Sequence, residues 1–249
     1  MIQVQDLSKS FKGSKGGAFR AVDGVSFRVS AREVFGLLGP NGAGKTTTLR
    51  MLATLLRPSS GTATINGFDI GREPAKVRAQ IGFLSGDMGT YARLSPREML
   101  NFFGQLHGMN SATLAKRIEE LFALLDMTSF ADVRGDKLST GMKQKAAIAR
   151  SMLHDPPVLI LDEPTAGLDV PTARVVEAAV LDAKHSGKCV VYSTHIMEEA
   201  EYLCDRIGVI NGGKLRAEGT MEELRALTGK QRLREVFLDL LGLPSGRAA

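Results

Sequence analysis

The sequence predicts an α/β fold: short strands at the N-terminus, strands alternating with helices through most of the chain, and a run of helices set into the alternation. Three observations carry this. Short apolar strands alternate with amphipathic helices along most of the 249 residues. The apolar run Val34 to Leu38 leads directly into Gly39 to Thr47 and then into Leu49, Met51 and Leu52, which reads as strand, glycine loop, helix. Residues 88–152, by contrast, show helical periodicity alone.

In chain order, Ile2 to Leu7 and Val25 to Val29 read as strands, with Gly13 to Arg20 between them as a loop flanked by Phe11 and Lys12. Val34 to Leu38 is apolar on both faces and reads as a buried strand. After the glycine loop and its helix, Arg57-Pro58-Ser59-Ser60-Gly61 turns the chain, Ala63 to Ile65 begin a strand, and Ile81 to Leu84 form another. Ser95, Pro96 and Glu98 make a capping box for a helix reaching about His107. A second helix starts near Ser111, with Leu114, Ile118, Leu121, Phe122 and Leu125 on one face, and Ser139 caps a third. Val158 to Leu161 then reads as a buried parallel strand that delivers Asp162 and Glu163 at its C-terminal end, where open α/β sheets hold their ligands. A helix from about Thr172 to Lys184 and strands Cys189 to Thr194 and Arg206 to Ile210 complete the alternation. Thr220 and Glu223 cap a short helix closed by Gly229. Leu233, Val236, Phe237, Leu240 and Leu241 form the apolar stripe of a last one, which reads as packing on its own domain, with partner binding as the alternative.

Composition narrows the function. The net charge is +5, but the positive residues are scattered and no nucleic-acid motif accompanies them, so they read as a solvated surface and no nucleic-acid partner is expected. No stretch approaches the roughly 18 apolar residues of a membrane span, and no secretory leader pattern opens the chain. Cys189 and Cys204 lack metal spacing and read as small buried hydrophobes.

The informative chemistry is at the glycine loop. Gly39, Gly44, Lys45 and Thr46 satisfy GxxxxGK[ST], and the whole stretch Gly39, Pro40, Asn41, Gly42, Ala43, Gly44, Lys45, Thr46, Thr47 is the candidate phosphate cradle. Glycines allow successive N–H groups to turn inward around a phosphate, Lys45 adds a charge for the outer phosphates, and Thr46 offers a hydroxyl to magnesium. The helix start adds a positive dipole end. Asp162 is the second candidate metal ligand, and Glu163, one residue on, the candidate general base. His195 falls just past a strand end on the same edge, where it suits a contact to the outer phosphate and the attacking water; alone, such a histidine is more often structural.

Phe11 within LSKSF, GPNGAGKTT, LSTGMKQK, LILDEP, AGLD at Ala166 to Asp169 and STH at Ser193 to His195 occur in the order and spacing of an ABC-type ATPase, which the chain resembles along almost its whole length. The resemblance implies a P-loop NTPase (RecA-like) core with an N-terminal antiparallel β subdomain and an inserted all-helical signature subdomain at about 88–152. Residues 1–228 would form the ATPase domain, and 229–249 a C-terminal amphipathic helix and tail. It further implies ATP and Mg²⁺ as cofactors, and Phe11 stacked on adenine. Two such domains would form a head-to-tail homodimer in which Ser139 and Gly141 cap the other copy's ATP and Asp169 lies at the seam. It implies a multi-spanning membrane permease as partner and a peripheral place on the cytoplasmic face of the cell membrane.

Two places depart from the family pattern. The signature, usually LSGGQ, is Leu138-Ser139-Thr140-Gly141-Met142, which keeps the serine and second glycine and loses the polar amide. The loop after Leu84 holds Ser85-Gly86-Asp87 where the family carries a glutamine, and Gln80 precedes the strand. With YARLSPREML, HIMEEAE and the closing LREVFLDLL, these features resemble the exporter branch of sodium, drug and nodulation-factor ATPases. A non-transport ABC ATPase, acting as a soluble scaffold or nucleic-acid-linked factor, is the alternative.

Overall fold

The computed structural model describes residues 1–12, 17–85 and 91–243. The chain runs β1 (Ile2–Lys12), β2 (Ala18–Val29), β3 (Val34–Leu38), α1 (Lys45–Leu52), β4 (Ser60–Ile65), β5 (Phe68–Asp69), α2 (Pro74–Gln80) and β6 (Ile81–Leu84). It continues through α3 (Pro96–Leu106), α4 (Ser111–Leu124), α5 (Thr140–Met152), β7 (Val158–Asp162), α6 (Val170–His185), β8 (Cys189–Thr194), α7 (Met197–Leu203), β9 (Arg206–Asn211), β10 (Lys214–Gly219), α8 (Met221–Thr228) and α9 (Leu233–Leu240).

Two sheets organise these elements. An antiparallel sheet has the order β2-β1-β4-β5, and a six-stranded sheet has the order β10-β9-β3-β8-β7-β6, parallel except at its β10 edge. β3, β7 and β8 are buried at every position, so they read as continuous apolar runs and not as alternating ones.

The first hairpin corrects the loop expected at Gly13 to Arg20: Ala18, Phe19 and Arg20 belong to β2, with Phe11 facing Phe19 across the ladder. Register shifts between Val4 and Ser10, and a left-handed Asp6 (φ 48°), break the period that would have marked the long strands. α2, α7, β5 and β10 were not read from the sequence. The helices are short, and β5 is only two residues.

Apolar burial falls into three groups. One joins the faces of α3, α4, α5 and α6 to β6, β7 and β8. A second lies between the antiparallel sheet, α1 and the opposite face of the central sheet. The third seats α9 through Leu233, Val236 and Phe237 on Ala200, Ile207 and Val209. The stripe of α9 therefore packs on its own chain, and Glu201 of α7 accepts a hydrogen bond from the Leu233 amide at its start.

The caps read from the sequence are present. Ser95 and Thr220 close full capping boxes, and Gly229 ends α8 in the left-handed region at φ 69°. Both cysteines are free thiols, and burial pushes that of Cys189 up to about 12.

The helical run meets the central sheet at a histidine stack. His154, just after α5, lies 4.0 Å centroid to centroid from His107 with rings 4° from parallel, and its Nε2 donates to the Ile81 carbonyl at 3.1 Å. Burial, with the neighbouring His107, pushes the His154 pKa down to about 4. The ring is thus neutral in the fold, whereas an unfolded histidine titrates near 6.5. The unfolded chain then binds the extra proton, so this contribution is complete above pH 6.5 and is lost as pH falls toward 4. Urea midpoints should fall from pH 7 to pH 5, and His154→Gln, which keeps a donor for Ile81, should flatten that fall.

Candidate functional site

The site is built by three adjacent parallel strands that end together. In register, Leu38 of β3 pairs with Thr194 of β8, and Ser193 of β8 with Asp162 of β7. The residues that follow, Gly39 to Thr47, Glu163 and His195, therefore emerge at one carboxyl edge of the sheet.

The loop has the backbone a cradle requires. Gly44 sits at φ 109°, and a Cβ there would lie 2.6 Å from the Ala21 carbonyl, so the position demands glycine. A cleft of about 280 Å³ is lined by Pro40 to Thr47, Glu163, Phe11, Phe19 and Ala21. Phe11 and Phe19 are 41% and 61% exposed, so two aromatic faces stand open at the cleft beside the loop. Phe19 was missed because it was read as loop; the cross-strand register that pairs it with Phe11 would have found it.

Lys45 is the electrostatic centre. It is 4% exposed, and its Nζ donates to the Gly39 carbonyl at 2.6 Å and the Pro40 carbonyl at 3.2 Å while lying 3.3 Å from Glu163 Oε1. The same Oε1 is 3.2 Å from His195 Nδ1. The carboxylate oxygen can only accept, so a hydrogen bond here puts the proton on Nδ1. One glutamate oxygen therefore joins the phosphate-loop lysine to the histidine.

Glu163 is held in an unusual backbone. Its φ of 48° is left-handed, at a cost of about 1–2 kcal/mol for a non-glycine residue. Its amide is directed at both the carbonyl and the Oγ of Ser193, each at 3.1 Å. Those contacts, at about 1 kcal/mol for a typical bond, offset much of the strain and fix where the carboxylate emerges.

Ser193 also donates to Asp162 Oδ1 at 2.6 Å. Asp162 is 3% exposed. The Asp162 carboxylate, oriented by a serine, and the Thr46 hydroxyl at the cleft are each hard oxygen donors of the kind magnesium takes alongside phosphate and water, though Asp162 is not among the residues that line the cleft. Among the described residues no three acidic, histidine or cysteine side chains gather as a protein-only metal cage. Ser193 was not singled out as a site residue; the equal strand ends of β7 and β8 are the signal that places it opposite Asp162.

The signature residues lie elsewhere. Ser139 caps α5 by accepting from the Met142 amide at 3.2 Å. Met142 is partly buried against the helical core, so the side chain that replaces the family's polar amide packs inward. Ser139, Gly141 and Asp169 line a second cleft of about 540 Å³, and among the described residues the two clefts share no lining residue. Asp169 caps α6, and the Thr172 hydroxyl and amide hold its carboxyl below the usual range. From α5, Gln144 Nε2 donates to the Pro164 carbonyl at 2.7 Å, tying the signature helix to the residue after Glu163. Gly86 and Asp87 lie outside the described residues, and Gln80 is engaged with Asn66 at 2.7 Å.

The chain is similar to known proteins along most of its length. A family model described as ABC transporter matches residues 22–166. The ABC transporter ATP-binding protein NatA of Bacillus subtilis (strain 168) is 40% identical over 242 residues, which is 97% of this chain and 98% of that one. The Nod factor export ATP-binding protein I of Paraburkholderia xenovorans (strain LB400) is 40% identical over 90% of this chain and 72% of its own. Among solved structures, the ATP-binding cassette MJ0796, a dimer in a post-hydrolysis state bound to ADP and Pi, superposes with a TM-score of 0.81 at 25% identity. The match covers 88% of this chain and 98% of that one.

Proposed function

The chain belongs to the ABC transporter ATP-binding family, and from that premise we propose that it binds and hydrolyses ATP as half of a head-to-tail dimer that drives a separately encoded membrane exporter. The observation that carries this is the separation of the two clefts: Lys45 and Glu163 bound one, Ser139 and Gly141 the other. A γ-phosphate held on the loop of one copy is met by the signature of the second, whose helix start supplies amides to an anion. The dimeric, ADP-bound form of the solved cassette supports the arrangement.

Each residue then has a task. Adenine stacks on Phe11, with Phe19 beside it. The amides of Gly39 to Thr47 and the Lys45 ammonium take the phosphates, and Asp169 lies at the seam between copies. Thr46 and Asp162 hold magnesium, which when bound offsets charge on the phosphates. The γ-phosphate competes with Glu163 for Lys45, which leaves the Glu163 carboxylate to accept a proton from the attacking water. His195 contacts the γ-phosphate and that water, sensing whether the phosphate is present. ATP binding favours the closed dimer because only that state gives the γ-phosphate its second set of donors, and hydrolysis removes the preference.

Residues 1–228 form the ATPase domain in this reading, and 229–249 a C-terminal helix and tail. Among the described residues no helix is long and apolar enough to cross a membrane. The export reading draws on the names of the relatives, and it places the chain on the cytoplasmic face of the membrane through its partner. Affinity purification from detergent-solubilised membranes should recover a multi-spanning protein in fixed ratio to this chain. Recovery of soluble proteins or nucleic acid alone would overturn the transport reading.

A further inference from the structure

Beneath the Glu163–His195 contact lies a buried polar cluster that the hydrolytic scheme above does not use. Glu199, at the third position of α7, is 7% exposed. Its Oε1 accepts from Thr165 Oγ1 at 2.5 Å. Its Oε2 accepts from Thr194 Oγ1 at 2.7 Å and from the Tyr192 hydroxyl at 3.2 Å. Tyr192 and Thr165 also contact each other at 3.2 Å, and the Ile196 amide donates to Thr194 Oγ1 at 2.9 Å. Thr165, Tyr192 and Thr194 are 5%, 0% and 2% exposed.

The connectivity is the point. Thr165 is two residues after Glu163, and Thr194 is the residue before His195. The two oxygens of one side chain therefore grip the two loops that carry the reacting glutamate and histidine. A third loop contact comes from Gln144 of α5, which donates to the Pro164 carbonyl. No ion pair reaches Glu199 among the described residues; hydroxyl donors alone face it. A carboxyl buried on hydroxyls is a poor device for stability, since apolar side chains of like volume would fill the space at less desolvation cost. It is a good device for geometry, because two acceptor oxygens on one rigid group fix the separation of the donors they hold.

We propose that Glu199 is a positioning residue for hydrolysis, which sets the spacing between the Glu163 loop and the His195 loop by accepting from Thr165 with one oxygen and from Thr194 and Tyr192 with the other. The proposal rests on the reading of Glu163 and His195 given above, and it adds that their alignment depends on a side chain that does not line the cleft at the glycine loop.

The test compares Glu199→Gln, Tyr192→Phe and Glu163→Gln with the unaltered chain, in ATP hydrolysis, ATP affinity, thermal melting and backbone hydrogen exchange. A glutamine keeps the shape but turns one acceptor oxygen into a donor. Glu199→Gln should lower kcat at least tenfold with KM for ATP within twofold, and should speed exchange in the peptide spanning residues 194–199. Tyr192→Phe, which removes one donor and keeps the ring in its core site, should lower kcat about threefold without lowering affinity; it decides the matter if Glu199→Gln does not fold. Unchanged kcat in Glu199→Gln, or in Tyr192→Phe where Glu199→Gln does not fold, would overturn the proposal. So would a loss of activity that tracks loss of folded protein, with kcat and affinity failing together. Glu163→Gln separates the two levels: normal turnover there would sink the catalytic reading itself, whereas a disabled Glu163→Gln beside a fully active Glu199→Gln sinks only the positioning role.

Discussion

Replacing Glu163 with glutamine should slow ATP turnover by about 10²- to 10⁴-fold, the range a positioned general base contributes, while ATP binding is retained. The geometry gives both halves of this result. Glutamine fits the same left-handed site on Ser193, because it is the backbone amide that Ser193 holds, so the fold around the loop is preserved. What is lost is the carboxylate that takes the proton. Glu163 Oε1 also lies 3.3 Å from the Lys45 ammonium, so the neutral side chain removes a competitor for the phosphates. Affinity for ATP should therefore stay equal or tighten. Steady-state phosphate release and a fluorescent-nucleotide titration check the two halves, and normal release in the purified variant would refute the role of the glutamate.

Replacing Lys45 with alanine should have the opposite signature, a loss at binding. A hydrogen bond to a charged group contributes about 1.5–3 kcal/mol, and a tenfold change in affinity is about 1.4 kcal/mol. Two such contacts to phosphate therefore correspond to a loss of two to four orders of magnitude in ATP affinity. The substitution also leaves the Gly39 carbonyl without its lysine donor, whereas Pro40 keeps the Ala43 amide, and it leaves Glu163 without its cation. An unsatisfied buried acceptor costs about 1–3 kcal/mol, so a lowered melting temperature should accompany the loss. Calorimetry at saturating magnesium, with melting recorded in parallel, separates the two effects. ATP affinity within threefold of the unaltered chain would show that Lys45 is a structural brace for the loop and no phosphate ligand.

The parts legible in the sequence were those governed by short-range rules. Val34 to Leu38, Ile81 to Leu84 and Cys189 to Thr194 have the bounds the structure gives, because a short, largely apolar run bounded by polar or turn residues marks a strand packed in the sheet. The caps at Ser95, Ser139 and Thr220 were read because a cap is a relation among four consecutive residues. The loop Gly39 to Thr47 was read because its backbone geometry is written in glycines. What escaped depends on how strands pair in register. Phe19 enters the cleft by pairing with Phe11 across a bulged hairpin, and Ser193 reaches Asp162 by lying beside it in a parallel ladder. Glu199 escaped because it lies on a seven-residue helix with too few positions to show a period, and its partners come from β8 and from the turn after β7.

The central claim is that neither cleft is a whole site until a second copy arrives. It is tested most directly by the molar mass of Glu163→Gln in solution, measured by light scattering with and without ATP and magnesium. The account predicts a mass of one chain, 26.8 kDa, without nucleotide and of two chains with saturating ATP. A mass that stays at one chain in saturating ATP, in protein shown by titration to have bound it, would contradict the account.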